Sequence, residues 1–67
     1  MPLDNHLKEY RARFSLSQER LGELTGVSRQ TISLIERGID VPSVILALKI
    51  AKALEAKVED LFQYKAE

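Results

Sequence analysis

The segment Gln18-Glu19-Arg20-Leu21-Gly22-Glu23-Leu24-Thr25-Gly26-Val27-Ser28-Arg29-Gln30-Thr31-Ile32-Ser33-Leu34-Ile35-Glu36-Arg37 decides how this chain is read. Apolar residues three apart, Leu21 with Leu24 and then Ile32 with Ile35, mark two short helices that each bury one face. Ser17 and Ser28 stand immediately before them, where a hydroxyl can accept from the free backbone amides of a first turn. Gly26 closes the first helix, because the chain must reverse within a few residues and glycine enters the left-handed conformation at no steric cost. Val27 plugs the turn. Gly22, in the middle of the first helix, costs about 1 kcal/mol in helix propensity. Its use is the close backbone approach needed where the second helix crosses the first at a steep angle. The segment therefore reads as two helices, Gln18 to about Thr25 and Arg29 to Arg37, hinged on a glycine-containing turn.

Helical patterns continue on both sides. Leu7, Tyr10 and Phe14 recur at spacings of three and four and predict a first helix from about Asp4 or Asn5 to Phe14. Gly38 closes the helix that ends at Arg37, and a loop runs from Gly38 to Pro42. Ser43 is placed to cap a helix from Val44 to about Leu54, with Ala47, Ile50, Ala51 and Leu54 on one face. A last short helix, about Val58 to Phe62, offers Val58, Leu61 and Phe62, and the tail 63–67 is either frayed or extended. No segment alternates convincingly as a strand, and no repeat or low-complexity stretch interrupts the pattern. The expectation is an all-α single domain over residues 1–67 with about five short helices.

A chain of 67 residues buries only about 60% of the surface its unfolded form exposes, so it is marginal without added stabilisation. Small domains commonly find it in disulfides, metals or a partner subunit. There is no cysteine and His6 is alone, so disulfides and a metal site are not expected; a partner subunit remains. No apolar run approaches the roughly 18 residues of a membrane span, and the opening residues lack a secretory pattern, which makes the cytoplasm the expected location. Lysine plus arginine equal aspartate plus glutamate at ten each, which argues against indiscriminate nucleic-acid binding. Their placement is uneven: all five arginines lie between Arg11 and Arg37, and no lysine falls between Lys8 and Lys49. Arginine suits bidentate recognition of phosphate and guanine, although solvated helix faces would produce the same distribution by chance. An enzyme is not expected. There is no cysteine nucleophile, His6 sits near a terminus without an evident partner, and so short a chain has little volume for a pocket. No cofactor or small-molecule ligand is expected.

The run from Leu16 to Ser33 closely resembles the phage repressor and Cro-like helix-turn-helix family, also called the xenobiotic-response-element family. The likeness continues through Ile35-Glu36-Arg37-Gly38, Pro42-Ser43 and Leu46-Ala47-Leu48-Lys49-Ile50-Ala51 to Glu59-Asp60-Leu61-Phe62. It spans nearly the whole chain and is strongest for short stand-alone regulators of this length. The resemblance implies a lambda-repressor-like five-helix domain with a helix-turn-helix core at 18–37. It also implies a transcriptional regulator whose second motif helix enters the major groove of double-stranded DNA.

Residue by residue, Gln18 matches a family glutamine that bonds a DNA phosphate, against the alternative of a solvated surface amide. Arg29, Gln30 and Thr31 open the recognition helix, whose first turn reaches base edges in this motif. Arginine pairs with guanine and glutamine with adenine, so Arg29 and Gln30 are expected to read bases directly. Ser28 is a cap and a candidate phosphate contact. Ser33 and Leu34 lie one turn on; Leu34, read as exposed, could meet a thymine methyl group or be a plain surface leucine. Arg37 is expected to reach phosphate, or else to stabilise the helix end. Arg11 and Glu36 match positions that pair as an internal salt bridge, and with Gly22 and Gly26 they are assigned to structure, although Arg11 could instead contact phosphate. Three departures stand out. The loop Ile39-Asp40-Val41 is apolar and acidic where relatives often carry phosphate-gripping residues, Glu55 stands where a helix-closing glycine is common, and Lys57 where a small cap is common.

Val44 to Leu48 is a run of consecutive apolar residues, more than one helix face buries in a monomer. Ile45, with Phe62 and Tyr64, is therefore a candidate homodimer surface. In short members of the family the terminal segments can form a small antiparallel pair beside the dimer contact, a role the resemblance leaves open here to Leu3 and residues 62–65. The implied activity is repression from a palindromic operator. The competing expectation is an antitoxin or co-regulator that uses the same scaffold mainly to hold a protein.

Overall fold

The computed structural model describes residues 3–65. In chain order these form β1 (Leu3–Asn5), α1 (Leu7–Arg13), α2 (Gln18–Thr25), α3 (Arg29–Glu36), α4 (Val44–Ala53), α5 (Val58–Leu61) and β2 (Phe62–Tyr64). The five expected helices are present, and the terminal segments form an antiparallel ribbon in which Leu3 faces Tyr64, Asp4 faces Gln63 and Asn5 faces Phe62. The ribbon moves two boundaries relative to the sequence reading. α1 begins at Leu7 because Asp4 and Asn5 are engaged in strand pairing, and Phe62 leaves the last helix to open β2.

Local chemistry sets the helix ends. The hydroxyls of Ser17, Ser28 and Ser43 accept from the amides of Arg20, Thr31 and Leu46 respectively, each satisfying a donor that has no partner inside its helix. α3 and α4 finish in paired reverse-turn bonds. Gly38 N–H donates to Ile35 and Ile39 N–H to Leu34, while Glu55 N–H donates to Lys52 and Ala56 N–H to Ala51. Such an ending requires a left-handed residue just past the helix. Gly38 supplies it with φ 77°, and Glu55 with φ 53°. Glu55 therefore does the work of the glycine common at this position, at a side-chain penalty.

Leu7, Leu21, Ile32, Ile35, Ile50, Ala51, Leu54 and Leu61 form one buried cluster to which all five helices contribute. Tyr10, Leu16, Val27, Leu46, Val58 and Phe62 pack around it, half-buried. Two expected core residues lie outside. Leu24 is 47% exposed and Phe14 41%. In α2 the buried arc is Leu21, Gly22 and Thr25, because the turn after α2 lies against Gly22 and centres the packed face between Leu21 and Gly22. Thr25 takes the inward place, its hydroxyl donating to the Leu21 carbonyl at 2.8 Å, so the buried polar group is satisfied.

Candidate nucleic-acid interface

α2 and α3 pack across each other through the turn 26–28, and Gly22 is what allows it. A Cβ at position 22 would stand 2.6 Å from the Val27 carbonyl oxygen and 3.2 Å from the Ser28 carbonyl carbon. Gly26 takes φ 79° to turn the chain. The close approach is thus to the turn backbone itself, which fixes where α3 starts.

The far end of α3 is held by charge. Glu36 receives two bonds from the Arg11 guanidinium, Nε to Oε2 at 2.6 Å and Nη2 to Oε1 at 3.1 Å. Arg11 also donates from Nη1 to the Leu16 carbonyl at 2.7 Å. The pair is nearly enclosed, with side chains 14% and 8% exposed, so its hydrogen bonds operate with little competing water. Gln18 joins it, its side-chain amide Nε2 donating to Glu36 Oε1 at 3.1 Å. One hydrogen of that amide remains for an outside acceptor.

With both ends fixed, α3 presents its outer face. Gln18, Arg29, Gln30, Ser33, Leu34 and Arg37 line one open groove on the surface. No acidic residue lines it, and neither Arg29 nor Arg37 meets a carboxylate within salt-bridge distance among the described residues. Arg29, Gln30 and Arg37 are exposed, whereas Ser33 and Leu34 are half-buried. Leu34 is therefore part of the groove lining and less exposed than expected from its helical position; its carbonyl accepts from both Ile39 and Asp40 of the exit loop.

Two expected site residues stand apart from this group. The hydroxyls of Ser28 and Thr31 lie 3.2 Å from each other while Ser28 caps α3, and neither residue lines the groove that holds Arg29, Gln30 and Leu34. Of the candidate self-association residues, Ile45 is 68% and Tyr64 72% exposed, but Phe62 packs half-buried against the core. Ile45 shares its side of α4 with Val44 and Leu48, also exposed. One contributor escaped the sequence reading. Asn5 donates its side-chain amide to the Ile35 and Glu36 carbonyls at 2.9 and 3.2 Å; the sequence reading places it only at the start of the first helix, and no local pattern points to this contact.

Among the described residues there is no cluster of three His, Asp or Glu side chains able to hold a metal, and no helix is long and apolar enough to cross a membrane.

Comparison with known proteins agrees with this geometry. A helix-turn-helix family model matches residues 7–61. The uncharacterized HTH-type transcriptional regulator YgzD of Bacillus subtilis is 55% identical over 65 residues, covering 97% of this chain and 98% of its own length. Among solved structures, the P22 c2 repressor in complex with a synthetic operator superposes with a TM-score of 0.76 at 30% identity, covering 79% of this chain and 80% of that one. The restriction-modification controller protein C.AhdI of Aeromonas hydrophila gives a TM-score of 0.75 at 37% identity, covering 81% and 82%. The chain belongs to the phage-repressor and Cro-like helix-turn-helix family of DNA-binding transcriptional regulators.

Proposed function

We propose that this regulator is a repressor that binds a two-fold-symmetric operator as a homodimer, with α3 in the major groove. The observation that carries the reading is the shared groove of Gln18, Arg29, Gln30, Ser33, Leu34 and Arg37, free of acidic residues. In this reading Arg29 and Gln30 contact base edges, with Ser33 and Leu34 behind them against the groove floor. Gln18 and Arg37 hold phosphates on either side, and phosphate contacts set register. Ser28 presents its hydroxyl to the backbone while capping α3, and Thr31 supports that hydroxyl instead of reading a base. The exposed Asp40 repels phosphate, so the loop after α3 stays off the backbone.

Self-association is supported by the exposed side of α4, where Val44 is 76%, Ile45 68% and Leu48 57% exposed. An apolar strip of this kind on a small domain commonly marks an interface. Tyr64 on β2, 72% exposed, is a further candidate contact, whereas Phe62 is half-buried against the core. Two copies related by a two-fold axis would set their α3 helices about 34 Å apart, one turn of duplex. Repression then follows from occupying a promoter that polymerase needs.

Selection of bound fragments from a random DNA pool tests this reading. It predicts an enriched site with two half-sites about 10 bp apart; recovery of no enriched sequence contradicts it. The same apolar strip supports a second reading, in which the scaffold mainly holds another protein. That reading predicts no enrichment from the pool.

A further inference from the structure

The last turn of α3 is held from three directions, and one of the three holds its main chain. A helix end leaves carbonyls without internal donors. Here Ser33 O accepts from Arg37 N–H, Leu34 O from Ile39 and Asp40, and Ile35 O from Gly38. The Glu36 carbonyl finds no backbone donor among the described residues. Asn5 supplies it, with Nδ2 at 3.2 Å from Glu36 O and 2.9 Å from Ile35 O. The other end of the same side chain accepts from the Leu7 amide at the start of α1, at 3.3 Å. The backbone of Asn5 pairs with Phe62 across the ribbon. One residue thus joins the paired chain ends, through its backbone, to the start of α1 and the end of α3, through its side chain.

We propose that Asn5 is a positioning residue for DNA recognition, tying the tilt of α3 to the pairing of β1 with β2. The proposal rests on the DNA-binding reading. Arg11 and Gln18 grip Glu36 by its carboxylate, and rotation about the side-chain bonds lets the backbone shift beneath that grip. Asn5 grips the backbone directly. The amino end of α3 is already set by the contact of Gly22 with the turn, so Asn5 fixes the second point that defines the helix axis. At 1.5 Å per residue an eight-residue helix is about 12 Å long, and a tilt of about 10° about its start moves its far end by about 2 Å. That displacement carries Leu34 and Arg37 out of register with Arg29 on a rigid groove, since a hydrogen bond tolerates only about half an ångström. Sequence readout depends on that register, whereas non-specific attraction to phosphate does not.

The test compares the parent with Asn5→Ala and Asn5→Asp. Asn5→Ala removes the donor without adding charge. Asn5→Asp keeps the acceptor for Leu7 and replaces the donor by a negative charge facing the two carbonyls, so the pair of variants separates loss of the donor from loss of the Leu7 acceptor. Affinity is measured for the site selected by the parent and for an unrelated duplex of equal length, at a temperature where thermal melts show each variant folded. The expected result is a loss of tenfold or more on the selected site with less than a twofold change on the unrelated duplex. A purely structural role lowers the melting temperature and leaves both affinities of the folded protein intact. Selected-site affinity within twofold of the parent in either folded variant overturns the proposal. Asp4→Ala, which breaks the Asp4–Lys65 pair at 3.1 Å without touching the clamp, should leave the selected-site affinity unchanged. The parent itself gives a second measurement. The Asn5 side-chain amide protons should exchange with solvent at least tenfold more slowly than those of a free asparagine, and exchange at the free rate overturns the clamp. Failure of the parent to select any sequence would overturn the DNA-binding reading, and the exchange measurement would still decide whether the clamp exists.

Discussion

Replacing Arg11 by alanine should come close to unfolding the domain. The substitution removes both bonds to Glu36, at 2.6 and 3.1 Å, and the bond to the Leu16 carbonyl at 2.7 Å. What remains is a carboxylate only 8% exposed, with the neutral amide of Gln18 as its one described side-chain partner. Stranding a buried charge in this way costs about 3–5 kcal/mol. At about 0.05–0.15 kcal/mol per residue, a domain of this length has about 3–10 kcal/mol in total. The loss is therefore of the same order as the whole. Urea denaturation followed by circular dichroism measures it, within a cycle that includes Arg11→Met, Glu36→Leu and the double variant. Because an apolar pair of similar volume commonly equals or exceeds a buried ion pair, the double variant should regain most of the stability that either single change loses. A loss under about 1 kcal/mol for Arg11→Ala, below the range for breaking a buried pair, would refute the reasoning. So would a double variant no more stable than the sum of the single changes allows.

Three further outcomes follow from the geometry. Gly22→Ala should destabilise by about 1–3 kcal/mol, the usual cost of overpacking, despite alanine's better helix propensity, because the new methyl meets the Val27 carbonyl at 2.6 Å; chemical denaturation reads this directly. Glu55→Gly should stabilise by about 0.5–1 kcal/mol, the left-handed penalty less the extra freedom glycine gives the unfolded chain, raising the melting temperature by about 3–6 °C. The hydrogen bond from His6 Nδ1 to Glu9 at 2.8 Å raises the histidine pKa above 6.5. Its contribution is then complete below pH 6.5 and lost as pH rises through the raised value; melts across that interval should show a small decline that Glu9→Gln abolishes.

Much of this fold is written locally. The serine caps at 17, 28 and 43 and the glycines at 26 and 38 set helix ends through chemistry that involves only neighbouring residues, so the boundaries of α2 and α3 are legible within a residue. The groove face of α3 is legible for the same reason, since Arg29, Gln30, Ser33 and Arg37 share a side by helical spacing alone. The inward turn of Leu24 was misjudged because spacing gives the period of a helix but not the direction of its neighbours. Contact with the turn at Gly22 rotates α2 and puts Thr25 inside. Leu34 is half-buried and not freely exposed for a similar reason, since helical spacing does not tell what lies beside an outward face. Strand pairing between Asn5 and Phe62 joins opposite ends of the chain. Three-residue strands carry almost no alternation to read, so α1 and α5 each seemed longer than they are. The role of Asn5 depends wholly on that pairing and could not be found from local pattern.

The central claim is that the outer edge of α3 reads bases, and the most direct measurement is the affinity of Arg29→Ala and Gln30→Ala for the parent's selected site and for an unrelated duplex. Each lost base contact should weaken the selected complex by about 1–3 kcal/mol, with Arg29→Ala also flattening the preference at one guanine and Gln30→Ala at one adenine. Both variants binding the selected site as tightly as the parent, with the same base preferences, would contradict the account.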